Sequence, residues 1–416
     1  MGYAFSRDDI AYLGSAAGAA ALPEVDALAL TPASLLRDLD QLRRTHGDHT
    51  AALVETVRLR RRATAKLSDA REWLFTDDAL QQATPTAVAR HRAERLKGRT
   101  VHDVTCSIGA ELAELAKECP VVIGSDLDDV RLAIAAHNLG VRGLDAREFD
   151  TAAADPAGAS KSTSPGRPSS AGNVLLAKAD ALRPCSTAEV VIADPARRAD
   201  GRRTHDPAKL QPPLPDLLAA YAGRDLAVKC APGLDFDKLA WVGEIEVASL
   251  DGAVREACLW SPGLAERGVT RRATVLSSTR PPEVLTDAMP DDIPDREPGE
   301  WIIDPDGAVV RAGLVRHYAA EHGLWQLDPR IAYLTGDTVP AGMRGFRILD
   351  RMEFREKPLR AELHRRDCGP LEILTRGVDL DPDALRAKLK PRGKQPFSLV
   401  ITRIGKTATV FLCATP

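Results

Sequence analysis

Apolar positions in the first 82 residues recur three and four apart, the spacing of a helix face. Leu35, Leu36, Leu39 and Leu42 show it in TPASLLRDLDQLRR, whose Thr-Pro pair is a good cap and first-turn signal. AALVETVRLRRRATAKL repeats it with Leu53 and Val57, REWLFTDDALQQAT is a short amphipathic piece, and TPTAVARHRAERLKG predicts a capped helix ending at Gly98. From residue 99 the pattern changes. TVHDVT, VVIGSDL, NVLLAKADAL, AEVVIADP and DLAVKCAPG read as strands, and AELAELAKEC, DDVRLAIAAHNLG and PDLLAAYAG read as helices among them. EIEVASLDG and VREACLWSP predict a closing antiparallel pair. Such alternation specifies an α/β fold, a mainly parallel sheet covered on both faces.

Two stretches break the rhythm. TAAADPAGASKSTSPGRPSSAG, residues 151–172, has little to bury; it predicts a mobile insertion, a tolerated surface segment or a lid. RPPEVLTDAMPDDIPDREPGE carries seven acids and five prolines, which reads as a linker. Beyond it, DPDALRAKLK predicts a capped helix and SLVITRIGKTATVFLCA a terminal hairpin. The expected division is a helical region at 1–82, a sheet domain at 83–279, a linker at 280–299 and a smaller α/β domain at 300–416. No internal repeat appears.

A chain of 416 residues suits two or three domains. With aromatics at only 4%, Ala, Val and Leu must fill most of the core. The net charge of -3 rules out a molecule-wide attraction to nucleic acid, so any such binding needs local basic patches. The seven cysteines are widely spaced and form no CxxC, which argues against disulfides and structural zinc. The nine histidines form no HxH or HExxH, so no metal is expected. MGYAFSRDDIAYL has no basic segment leading into an apolar one, and no apolar run reaches about 18 residues. A cytoplasmic protein without a membrane span is therefore expected.

The chemistry concentrates where strands end. VHDVTCSIGAE runs from a strand through small residues into a helix, with Asp103 before the turn and one glycine, Gly109, within it. Small residues admit close approach of a ligand, and the helix N-terminus offers free amides. Asp126 ends the second strand, 23 residues after Asp103. There it is placed to accept hydrogen bonds from both ribose hydroxyls of a nucleoside, or to cap the next helix, as Asp128 would equally. Asp180 ends the third strand and Asp194, with Pro195, the fourth. A nicotinamide site would want G-x-G-x-x-G over a pyrophosphate, and Glu111 at the helix start would repel one. The zwitterionic tail of S-adenosylmethionine suits the turn better, with Asp103 holding its ammonium.

Residues 99–260 resemble a class I S-adenosylmethionine-dependent methyltransferase, with its Rossmann-like sheet. DVTCSIGAEL matches the family's first motif, with Ser107 in place of the usual first glycine. The resemblance implies that Asp103, Cys106 and Gly109 line the methionine moiety. It implies Asp126 on the ribose, Leu127 against the adenine and Asp180 at the adenine edge. KLSDAREWLFTDDALQQATPTAVARHRAERL upstream is similar to the trimethylguanosine synthase-like branch, where a helix helps cover the cofactor. Thr84, Pro85 and Thr86 match its TPE start, without the Glu. DPARR at 194–198 resembles the Asp/Asn-Pro-Pro-aromatic motif of enzymes that methylate exocyclic amines of bases, with Ala196 for the second proline and Arg197 for the aromatic. Asp194 can accept a hydrogen bond from the target amine, Pro195 shapes the turn, and catalysis is then largely positioning. Arg197 and Arg198 would bind base or phosphate; a guanidinium can stack on a base. GEWIIDPDGAVVRAGL, IAYLTGD and LTRGVDLDPDALRAKLKPRG look like the THUMP-like domain attached to such enzymes, and true THUMP domains bind RNA.

Residues 55–99 hold eleven Arg or Lys against six acids, and Lys388, Lys390, Arg392 and Lys394 cluster near the C-terminus. Such clusters suggest a phosphate-backbone track or solvated helix faces. Cys106 reads as packing, Cys230 as a weak nucleophile candidate. Lys229 would touch substrate or pair with an acid. The expected activity is methyl transfer from S-adenosylmethionine to a base nitrogen of tRNA or rRNA. The alternatives are a small molecule or protein as acceptor, or a non-catalytic RNA-binding protein with a degenerate methyltransferase fold.

Overall fold

The computed structural model describes residues 3–68, 70–140, 173–196, 198–199, 202–203, 206–239 and 241–415. Segment 151–172 falls outside them. The chain forms two compact units: Met1–Gly243 with Arg255–Ala265, and Glu244–Val254 with Glu266–Pro416.

The first unit opens with α1 (Arg7–Leu13), α2 (Ala16–Asp26), α3 (Leu35–His46), α4 (Thr50–Ala63), α5 (Asp77–Gln82) and α6 (Thr86–Arg95). The helical spacing read from the chain selects their inner faces: Leu42, Leu53 and Val57 are buried. Leu36 is the exception and faces solvent, because the buried stripe of α3 runs through Leu35, Leu39 and Leu42. This cluster continues into Ile108 and Ile134, with Ala110, Ala113, Val130 and Ala133 packed on it. The N-terminal helices thus share one core with the helices of the sheet, so residue 82 is not a boundary between compact units.

The strands of this unit are β1 (Thr100–Asp103), β2 (Val121–Asp126), β3 (Val174–Lys178), β4 (Val190–Ala193), the short β5 (Arg198–Ala199) and β6 (Arg202–Arg203), and β7 (Asp225–Cys230). The helices α7 (Ala110–Glu118), α8 (Asp129–Asn138) and α9 (Leu214–Ala220) intervene. β1 lies between β2 and β4; β3 pairs with β2 and β7 with β4, all in parallel. The chain leaves β1 to one side and then returns to the other, so the switch point lies between β1 and β4, where α/β sheets bind ligands. Close packing of α7 on the sheet requires Gly124 in β2. A Cβ there would lie 2.4 Å from Leu112 Cδ1 and 3.1 Å from Cys106 Cβ.

The second unit holds β8 (Glu244–Leu250), whereas β9 (Ala253–Trp260) belongs mainly to the first and runs antiparallel to β7. β8 pairs in parallel with β10 (Arg271–Leu276), which pairs antiparallel with β11 (Glu283–Thr286). The expected linker at 280–299 therefore contains a strand, and Leu285 within it is fully buried. Next come β12 (Trp301–Ile303), α10 (Gly307–Ala312), α11 (Val315–His322), β13 (Trp325–Gln326), β14 (Leu334–Gly336) and β15 (Gly345–Glu353). The chain ends with α12 (Glu356–Arg365), β16 (Cys368–Arg376), α13 (Pro382–Leu389), β17 (Gln395–Ile404) and β18 (Thr407–Ala414). Seven of these strands form a sheet in the order β13-β14-β12-β15-β18-β17-β16. Asp381 caps α13, and β17 and β18 form the expected hairpin.

His102, inside β1, makes the fold sensitive to acid. Its ring nitrogens lie 2.8 Å from Ser186 Oγ and 2.9 Å from Ser125 Oγ. Burial, aided by repulsion from Arg224, lowers its pKa from 6.5 to about 4. Between those values the unfolded chain binds a proton that the native chain does not, so stability falls as pH falls through this window, by about 3 kcal/mol in full. Asp103, raised to about 7, contributes stability that is lost as pH rises through an overlapping window. The diagnostic is therefore a difference. His102→Gln is expected to lose about one proton from the urea-unfolding slope between pH 6.5 and 4.

Candidate active site

The tips of β1, β2, β3 and β4 surround a cavity of about 330 Å³. Asp103, Asp126, Asp180 and Asp194 all line it, as do Thr84, Cys106 and Leu127. The turn after β1 is laced to its neighbours by backbone amides. Thr105 N donates to Asp103 Oδ1 (3.0 Å), and Asp194 N donates to Thr105 Oγ1 (2.7 Å). Ser107 N donates to Asp126 Oδ2 (3.0 Å). Ser107 has φ +49°, the left-handed region that favours glycine, and so occupies the missing-glycine position in a glycine-like conformation. Asn138 at the end of α8 braces the turn: its Nδ2 donates to Ile108 O (3.0 Å) and Leu74 O (3.1 Å).

Asp128 caps α8 through the amides of Val130 and Arg131, which leaves Asp126 directed at the turn. Leu127 beside it is 61% exposed, an open apolar surface next to a carboxylate. Asp180 accepts from Leu182 N (2.9 Å). Thr84 is buried, with its hydroxyl near the Glu111 carboxylate. Burial raises the Asp103 carboxyl to about 7, against the Thr105 amide and Lys229 and with help from Glu111 and Asp194. A buried carboxyl of this kind suits a cationic ligand group. Cys106 is buried, and burial pushes its thiol well up, so it is packing and not a nucleophile.

Behind this wall runs a charged network. Lys229 Nζ, on β7, lies 2.7 Å from Asp194 Oδ2 and 3.6 Å from Glu111 Oε2. Glu111 also receives Arg92 Nε at 2.7 Å, and Arg92 bonds Glu256 on β9. Burial alone would raise the Glu111 carboxyl, but Arg92 and Lys229 reverse that and hold it low. Burial opposes the Lys229 ammonium, yet Asp194, Glu111 and Glu256 outweigh it and hold its pKa high. Glu111 is thus a countered charge inside the wall, so repulsion of a pyrophosphate, expected from the sequence, loses its force. Lys66 sits nearby, donating to the carbonyls of Leu80 and Gln81 at the end of α5 (3.0 Å each). Burial and then repulsion by Lys229 and Arg255 lower it to about 8.

Other expectations are corrected. Gly109 does not line the cavity; it starts α7 at φ +82°, and a Cβ there would face Leu139 Cδ1 at 3.2 Å. Pro195 is buried behind the rim, while Ala196 lines the cavity and exchanges both backbone hydrogen bonds with Gln211. Arg197 lies outside the described residues, and Arg198 starts the short β5, paired with β6. The basic run at 55–99 is not a free track. Arg92 is buried, Arg60 and Arg61 donate to carbonyls, and Arg62, Arg90 and Lys97 pair with acids. Gln211 and Pro212 were missed as site residues. Lys229, expected to touch substrate or pair with an acid, lines the cavity and pairs with Asp194. Among the described residues, Glu283, Glu321 and His322 bring possible metal-ligand atoms within 4.8 Å of one another; His322 Nε2 is already 2.9 Å from Glu283.

Comparison with known proteins accords with this geometry. Two Mycobacterium tuberculosis proteins, from strains CDC 1551 / Oshkosh and ATCC 25618 / H37Rv, are described as uncharacterized S-adenosylmethionine-dependent methyltransferases. Each is 50% identical to this chain over 385 residues, covering 89% of it and 99% of the relative. A crystal structure from Porphyromonas gingivalis W83, assigned to the methyltransferases, shares the fold. Its TM-score is 0.65 at 17% identity, covering 89% of this chain and 91% of the other. Residues 343–415 match the family described as THUMP domain-like, and residues 6–63 match a domain of unknown function (DUF8688). The THUMP-like match starts well after residue 300. Fold and relatives together define an S-adenosylmethionine-dependent methyltransferase. The chain belongs to the family of the two mycobacterial proteins, with a THUMP-like segment at its C-terminal end.

A first consequence concerns the cofactor. Asp126→Ala removes both an acceptor at the tip of β2 and the bond that fixes Ser107. It is expected to weaken S-adenosylhomocysteine binding by about tenfold to a hundredfold by calorimetry, with little change in the unfolding midpoint.

Proposed function

We propose that this methyltransferase modifies an amino nitrogen of a base in tRNA or rRNA, in the cytoplasm. The observation that carries the reading is the Asp194 carboxylate at the cavity rim, with Oδ2 on Lys229 and Oδ1 without a partner among the described residues. An acceptor in that position matches a target that donates N–H. The THUMP-like match supports RNA as the carrier of that amine.

The residues fit S-adenosylmethionine. Asp103, buried and lining the same cavity as Thr84, would hold the ammonium of the methionine tail. Cys106 packs along that tail and the turn through Gly109 brings α7 up to it. Asp126 takes the ribose hydroxyls, Leu127 covers the adenine and Asp180 meets its edge. When bound, the cofactor supplies a methyl group made electrophilic by its sulfonium. Asp194 accepts one N–H of the target amine and so aims the nitrogen lone pair. On accepting the methyl group the amine would release one proton to water. Pro195 fixes the turn that carries Asp194, and Arg197 and Arg198 bind the base or its phosphate. Orientation is the main contribution asked of these residues.

The pairing of the 55–99 cations favours a second reading, a small-molecule acceptor. The test uses purified protein, labelled S-adenosylmethionine and RNA from a strain lacking the gene, with wild-type RNA and small-molecule extract alongside. Label in the unmodified RNA alone supports the proposal. Label in the small-molecule fraction alone supports the second reading.

A further inference from the structure

We infer that Lys229 is a positioning residue for methyl transfer: its ammonium binds one oxygen of the Asp194 carboxylate and so turns the other toward the target amine. This rests on the reading of Asp194 given above. Lys229 stands on β7, between parallel β4 and antiparallel β9, with its side chain 9% exposed against 30% for Asp194. Its 2.7 Å contact takes Oδ2 out of play. The Asp194 amide is tied to Thr105 Oγ1, so the residue is held at both backbone and side chain. Among the described residues, Oδ1 has no such partner and is left to accept.

The pair is surrounded by charge. Glu111 of α7 and Glu256 of β9 stand around Lys229, with Arg92 of α6 between them. Asp103 of β1 faces Asp194, and Lys66, with Arg255 near it, approaches from the segment after α4. Without the lysine, the Asp194 carboxylate loses the contact that fixes its direction. Lys229 itself cannot serve as a base, because its acidic neighbours keep it protonated. The same pairing selects the substrate: a fixed, charged acceptor admits an amino group and rejects a bare ring nitrogen, whose lone pair it would face.

The experiment compares full-length wild type, Lys229→Met, Lys229→Arg, Asp194→Ala and the double variant Lys229→Met/Asp194→Ala. The acceptor is RNA from the strain lacking the gene. Lys229→Met is expected to keep S-adenosylhomocysteine affinity within about threefold and to lose about thirtyfold or more in kcat, and Lys229→Arg to recover most of that loss. In the Asp194→Ala background, Lys229→Met should cost little more. If Lys229→Met does not fold, Lys229→Gln carries the same comparison. An unchanged kcat in Lys229→Met, no recovery in Lys229→Arg, or an equal further loss in the Asp194→Ala background would overturn the inference and leave Lys229 merely structural. Wild-type turnover in Asp194→Ala would instead remove the base-amine reading itself.

Discussion

Asp194→Ala is expected to leave S-adenosylhomocysteine binding within about threefold of wild type and to cut methyl transfer at least about a hundredfold. The asymmetry follows from position. Asp194 stands at the tip of β4, while the residues proposed to hold the cofactor lie on the turn after β1 and at the tip of β2. Its removal leaves Asp103, Thr84 and Asp126 in place. It also leaves Lys229 with Glu111 at 3.6 Å, so the buried ammonium keeps one counter-charge. The loss should appear in kcat more than in the KM for the cofactor, because the missing interaction aims the acceptor and not the donor. Calorimetry beside single-turnover transfer checks both halves.

Arg92→Met is expected to lower the unfolding free energy of the first unit by about 3–5 kcal/mol. Arg92 is 2% exposed and is bonded to two buried carboxylates, Glu111 and Glu256. The acids hold its own pKa well above the ordinary value despite full burial. Removing the cation strands negative charge on both α7 and β9. The cost belongs to the stranded charge, so a second change should recover part of it: Arg92→Met/Glu256→Gln is expected to be more stable than Arg92→Met alone. Urea unfolding of the three proteins checks this. A double variant no more stable than the single one would mean that the loss comes from packing of the long side chain.

The candidate site divides by how far apart its parts lie in the chain. Asp103, Asp126, Asp180 and Asp194 were legible because strand–helix alternation sets the parallel strands and strand polarity puts their last residues on one rim. Ser107 was readable as an anomaly, and its positive φ resolves it: the backbone keeps the glycine conformation without the glycine. Lys229 was not legible as the partner of Asp194, since 35 residues separate them and only the β4–β7 pairing joins them. Arg92 misled for a related reason. On α6 it counts as one more cation in a basic run, and only the packing of α6 against α7 turns it inward toward Glu111. Local charge counts cannot separate a solvated cation from one that neutralises a distant buried acid.

Fold boundaries failed where composition and pairing disagree. Residues 280–299 have the prolines and acids of a linker, yet Glu283–Thr286 is a strand, because its alternate residue Leu285 finds a buried place beside β10. The helical region at 1–82 has its own periodicity, but its apolar faces are completed by Ile108 and Ile134 from the sheet domain. Periodicity reports that a face exists and not what covers it.

The central claim is that a base amine in RNA receives the methyl group. The most direct measurement digests RNA from strains with and without the gene to nucleosides and compares them by mass spectrometry. The expected result is one nucleoside, methylated on its exocyclic amino nitrogen, present only when the gene is present and restored by purified protein with S-adenosylmethionine. A gene-dependent methyl group on a ribose hydroxyl or a base carbon, or identical nucleosides from both strains, would contradict it.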